Sequence, residues 1–236
     1  NFWLNVTAKN GDALLKGKND VTISYDVKPD ASNNTGWTFF AASNATKQEY
    51  GKEHYVGVLD KTTGITVERY NNNDGKRDSS GNVSYTKTNA DWKHVDIVIS
   101  GATAKLYIDS KLVAVNNNGQ KLADILGADG GVLQIGKANW VNGEYYTGAL
   151  DNLKIYGSAH TADQIKEAYD STKSDAAKAD ANALTINNGS TDVYSNITLP
   201  AKGSVNGSAI TWKSSNAKVI TCLLYTSDAA DDLTRV

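Results

Sequence analysis

Residues 20–30, DVTISYDVKPD, alternate strictly: Val21, Ile23, Tyr25 and Val27 fall on one side, Thr22, Ser24 and Asp26 on the other. A period of two suits a strand with one buried face, not one stripe of a helix. The pattern recurs. WTFFAASN, HYVGVLD and GITVERY are short, β-branched or aromatic, and bounded by Gly, Asn or Asp. The clearest unit is DWKHVDIVISGATAKLYIDSKLVAV, in which Val95, Ile97 and Ile99 oppose His94, Asp96 and Val98. SGAT and DSK turn the chain, so three strands form a meander. GVLQIGKANW and YYTGALDNLKIY add two more strands. No helix separates these strands, and an all-β sandwich is the expected fold.

One helix is expected after the last strand. Thr161 and Gln164 form a T-x-x-Q capping box, and Ile165, Ala168 and Tyr169 share one face. Such a helix would latch the sandwich. The polar stretch DSTKSDAAKADANA then reads as a linker, with room for helical continuation at its start. β character resumes in LTI, SNITLP and SAITWKSSNAKVI. The expected organisation is a sandwich over 1–170, a linker over 171–183 and a second β unit over 184–221. That unit is too short to complete a sandwich of its own.

Composition excludes some functions. The formal net charge is −2, which offers no basic face for nucleic acid or an anionic membrane surface. No apolar run approaches the roughly 18 residues of a membrane helix. Methionine is absent and the chain opens inside a pattern at NFWLNV, as an internal fragment would. Cys222 stands alone in TCLLYTSDAADDLTRV, where the strand pattern stops without a turn signal. Residues 222–236 read as a translated sequencing adapter at the end of a metagenomic contig. On that reading the authentic chain diverges after Thr221 and holds no cysteine, hence no disulfide framework and no thiol nucleophile.

VTISYDVKPD, WKHVDIVISGATAKLYIDSKLVA, LQIGKANW and YYTGALDNLKIYGSAHTADQIKEAY together resemble a laminin-G-like, concanavalin A-like domain. Two departures stand out: Asp109-Ser110-Lys111 where the family usually has D-G-K, and Asp151-Asn152 where D-D is common. ITLP with ITWKSSN and VI resembles the atrophied bacterial immunoglobulin-like domain. The resemblance implies a jelly-roll sandwich of two antiparallel sheets with one C-terminal helix, plus a small partial Ig-like β unit. It also implies an accessory region of a secreted or cell-surface bacterial glycoside hydrolase acting on plant polysaccharide, with family 43 arabinan- and xylan-degrading enzymes as the example.

Catalysis in the sandwich is not expected. The glucanases of this fold use E-x-D-x-x-E on one strand, and no Glu here is followed by Asp two positions on. Glu49 and Glu53 read as loop residues, and His94 as a partly covered surface residue. For metal, the resemblance implies a structural Ca²⁺ held by Asp151, with Asn10, Asp12 or Asp20 as early-loop partners; the other reading is that Asp151 braces a turn. NNNDGKRD lacks the end ligands of a calcium loop and reads as a turn. For sugar, Trp37, Trp140, Tyr145 and Tyr146 sit near strand ends or loops, where rings can stack on a pyranose. For any single one of them, packing in the core or at the rim is the favoured alternative. The expected partners are a cell-wall polysaccharide and a linked catalytic domain outside this chain. The alternative role is a structural spacer or a docking domain without a glycan site.

Overall fold

The computed structural model describes residues 3–32, 36–87, 89–140, 144–185 and 198–213. Cys222, the 222–236 tail and most of the expected strands of the second unit lie outside the described residues. The chain divides into two units, Asn1–Tyr169 and Asp170–Val236.

The first unit holds strands β1 (Leu4–Asn5), β2 (Asp20–Pro29), β3 (Trp37–Ala42), β4 (His54–Lys61), β5 (Gly64–Asn71) and β6 (Val83–Thr86). It continues with β7 (Lys93–Ser100), β8 (Thr103–Ile108), β9 (Lys111–Asn116), a short helix α1 (Leu122–Leu126), β10 (Val132–Ile135) and β11 (Gly148–Tyr156). A final helix α2 (Ala162–Asn182) begins in this unit. The strands form two antiparallel sheets, ordered β1-β10-β3-β4-β5-β6 and β11-β2-β7-β8-β9. The expected sandwich with one C-terminal helix is the fold observed.

Alternation places Ile23, Tyr25, Phe39, Val56, Val58, Ile65, Val67, Ile97 and Leu106 between the sheets, where they form the main core. The opposite side of β2 is not the solvent face that its polar residues suggest. Thr22 and Ser24 are buried. The Thr22 hydroxyl donates to the Ser158 carbonyl at 2.8 Å and accepts from the His160 N–H at 2.9 Å. The β8–β9 hairpin turns through Asp109 and Ser110, both at positive φ (49° and 65°), as a two-residue type I′ turn requires. Ser110 thus fills a backbone conformation that glycine adopts without strain.

Helix α2 starts with both bonds of its capping box. Gln164 N–H donates to Thr161 Oγ1 at 3.2 Å, and Thr161 N–H donates to Gln164 Oε1 at 2.9 Å. Ile165 packs with Val98 and Tyr107 on the outer face of the five-stranded sheet. The helix continues to Asn182, so 171–182 is helical where a linker was expected. In the second unit Asp180 accepts the backbone N–H groups of Val205, Asn206 and Ser208, each at 2.8 Å. Trp212 donates its indole N–H to the Pro200 carbonyl at 2.7 Å. An isolated bridge pairs Lys202 with Ala209.

Candidate functional site

The outer face of the six-stranded sheet carries a cluster of aromatic rings among its polar residues. Trp37, Phe40, Tyr55 and Tyr70 project there from β3, β4 and β5 and form a second cluster, with Leu59 and Trp140 packed against it. Tyr55 is the hub. Its ring lies 5.7 Å from Trp37, 4.7 Å from Phe40, 5.3 Å from Tyr70 and 5.8 Å from Trp140, edge-on to both tryptophans. Gly57 makes this possible, since a Cβ there would sit 2.3 Å from the Trp37 ring.

A cleft of about 340 Å³ opens over this cluster, lined by Trp37, Leu59, Lys61, Glu68, Arg77, Trp140 and Glu144. Arg77 comes from the NNNDGKRD loop and is the keystone. Its guanidinium stacks 4.4 Å over Tyr70 and lies 5.5 Å from the Trp140 ring centre. It pairs with Glu68 Oε2 at 3.3 Å and Glu53 Oε1 at 3.4 Å. Tyr55 donates to Glu68 Oε2 at 2.5 Å, and Arg77 Nη2 donates to the Tyr55 hydroxyl at 3.0 Å. Trp37 donates its indole N–H to Glu144 Oε2 at 2.5 Å. Burial raises the Glu68 pKa above the ordinary carboxylate value, outweighing the Tyr55 hydrogen bond and the Arg77 charge. Burial also pushes the Tyr55 hydroxyl far up, so it stays protonated as a donor. The lining carries two acids and two bases, Glu68 and Glu144 against Lys61 and Arg77. That balance suits an uncharged, hydroxyl-rich ligand better than an anion or a cation.

The four candidate aromatics separate. Trp140 is half-buried and lines the cleft, so it can offer a ring face. Trp37 lines it too, but at 3 % exposure it is the floor. Tyr145 bridges Lys137 beside the site. Tyr146 is half-buried and packs against the main core between the sheets, away from the lining of this cleft, and burial raises its hydroxyl pKa. Sequence reasoning missed Arg77, Glu53, Glu68, Tyr55 and Tyr70. Glu53, read as a loop residue, is fully buried and accepts from Asn72 Nδ2 at 2.8 Å. A cation in a glycine turn and acids scattered over three segments give no local signal; only alternation along GITVERY puts Glu68 and Tyr70 on one face.

The structure does not bring the residues proposed for calcium together. Asp151 opposes Asp26 in the β11–β2 pairing. Asn152, at φ 53°, donates its backbone N–H to Asp151 Oδ1 at 2.7 Å and its side-chain amide to Asp26 Oδ2 at 2.7 Å. Asp20 lies six residues along β2 from Asp26, about 20 Å at a strand's rise, and cannot share an ion with Asp151. Asn10 and Asp12 bond each other at 3.0 Å. No cluster of three or more His, Cys, Asp or Glu able to hold a metal occurs among the described residues.

His94 is buried, not a partly covered surface group. It lies 2.6 Å from Asp26 and 3.3 Å from Asp96, and the Tyr169 ring of α2 sits 5.3 Å away. Burial alone would lower its pKa; hydrogen bonds and charge from the two aspartates outweigh it and raise the value to about 9.

Two packed antiparallel sheets with an aromatic cleft on one outer face define a lectin-type β-sandwich. The chain belongs to the concanavalin A-like lectin/glucanases superfamily, whose family model matches residues 5–166, and the atrophied bacterial Ig domain model matches residues 177–222. An α-L-arabinofuranosidase of Bifidobacterium longum is 30% identical over 138 residues, which is 58% of this chain but 12% of that enzyme. Among solved structures, the CBM40 of the Ruminococcus gnavus IT-sialidase, bound to α2,3-sialyllactose, aligns with a TM-score of 0.57 at 14% identity over 71% of this chain and 91% of that one. Domain 4 of AbnA, an extracellular GH43 arabinanase from Geobacillus stearothermophilus solved with arabinotriose, aligns with a TM-score of 0.48 at 18% identity over 71% and 81%.

Proposed function

We propose that the chain is a noncatalytic carbohydrate-binding region of a secreted bacterial glycoside hydrolase, and that it binds arabinose-containing plant polysaccharide through the Trp140 cleft. The observation that carries this reading is the cleft itself: a half-buried indole beside Arg77, Glu68 and Glu144, charge-balanced and lined with hydroxyl-binding groups. The relative named as an arabinofuranosidase supports the choice of sugar, and the sialyllactose-bound fold neighbour supports glycan binding on this scaffold. Linked to a catalytic domain, even a weak site raises the local concentration of polymer without new contacts.

Affinity electrophoresis in gels containing arabinan tests the proposal. The full chain should be retarded, and Trp140→Ala should weaken retardation about tenfold or more, equivalent to roughly 1.4 kcal/mol. Equal mobility of both proteins with and without polymer would leave a spacer or docking role. The carboxylates are engaged by Tyr55, Arg77 and Trp37, which argues against acid–base work at the cleft. Release of reducing ends from arabinan by the purified chain would overturn the noncatalytic reading.

A further inference from the structure

The aromatic face has a second cleft, at the opposite edge of the same sheet. Its volume is about 500 Å³, and it is lined by β1, β10 and the segment just beyond, including Lys137 and Asn139. Gln134 and Asn139 line it at 5 % and 7 % exposure. Gln134 donates its amide N–H to Asn5 Oδ1 at 3.2 Å. Its Oε1 and the Nδ2 of Asn139 are both buried without a hydrogen-bond partner. Unmet buried amide groups are costly and uncommon, and both belong to residues that line one cleft. One is an acceptor and the other a donor. Sugar hydroxyls can meet both, one donating to Gln134 and one accepting from Asn139. Beside them is Trp3, with Lys137 Nζ 4.3 Å over its ring. Among the described residues, no carboxylate lines the cleft.

We infer that this cleft is a second sugar subsite, resting on the glycan-binding reading and extending it along the sheet. Asn5, Gln134, Phe40, Gly57 and Glu68 oppose one another strand by strand in one row. Directly opposed residues point to the same face. Four strand spacings of about 4.8 Å put Asn5 about 19 Å from Glu68. A short oligosaccharide lying across the strands therefore reaches from the Trp140 cleft to the Gln134 cleft.

The test is an NMR titration of the full chain with L-arabinose, against glycerol as control. It follows the side-chain amides of Gln134 and Asn139 and the indole N–H of Trp140. Saturable arabinose-dependent shifts of both amides, absent with glycerol, are expected. Gln134→Met should abolish the Asn139 shift and leave that of Trp140; should that variant lose its dispersed spectrum, Asn139→Ser replaces it, read at Gln134. Movement of Trp140 without the amides overturns the second subsite and leaves the first. Movement of the amides without Trp140 supports the second and overturns the first. Silence at all three positions, or an equal response to glycerol, overturns both.

Discussion

At the scale of single residues, two positions are the most exacting. Gly57 lets Trp37 lie across β4, because an added Cβ would meet the indole at 2.3 Å and Phe40 at 3.2 Å. Both rings are packed in the aromatic cluster, so the clash must displace its members. Gly57→Ala should therefore destabilise the sandwich by about 1–3 kcal/mol, as overpacking does, read as a lower urea midpoint. His94 makes a pH-dependent contribution. Its pKa rises from 6.5 to about 9 in the fold, so the unfolded chain releases this proton first. The stabilisation is complete below about pH 6.5 and is lost as pH rises through 9, and its size is on the order of 3 kcal/mol. His94→Gln should cost most near pH 6, and the gap to wild type should narrow by pH 10; a constant gap in urea midpoints across that range would remove the charged pair from the account. Neither role was legible in the sequence. Gly57 is one glycine among 20, and His94, beyond its strand neighbour Asp96, acquires its partners from β2 and α2, which only the fold brings together.

At the scale of elements, alternation carried most of the information. β2, β7 and β8 are long enough for a period of two to show, and their inward residues are those the pattern singles out. What escaped was short or covered. β1 has two residues and α1 five, too few for any period to register. The polar side of β2 read as solvent-facing because neighbouring chain supplies its burial and its partners. Helix α2 was visible through its cap, a purely local signal. Its docking rests on Ile165, at 1 % exposure against Val98 and Tyr107, more than on the half-buried Tyr169. Ile165→Ala should accordingly cost about 2–5 kcal/mol in chemical denaturation, and Tyr169→Ala less. Equal costs would mean that the Tyr169–His94 contact holds the helix as firmly as its apolar stripe.

At the scale of the whole molecule, the first unit holds every strand of both sheets, both clefts and the docking residues of α2. Its core is continuous between the sheets and draws on residues from Leu15 to Ile135, with Leu150 and Ile155 packed against it. The family match over residues 5–166 falls within this unit. The site was less legible than the fold because it is assembled from β3, β4, β5, the loop that carries Arg77 and the segment around Trp140. Each piece is ordinary alone. A chain ending at Thr172 keeps all of them, together with the capping box and Ile165. It should unfold in one cooperative transition and bind arabinan with the affinity of the full chain, as measured by affinity electrophoresis. A broad melt would place part of the core's support beyond residue 172. A cooperative melt with lost binding would instead assign the polymer contact to the second unit, and Trp140→Ala in the full chain would then leave retardation unchanged.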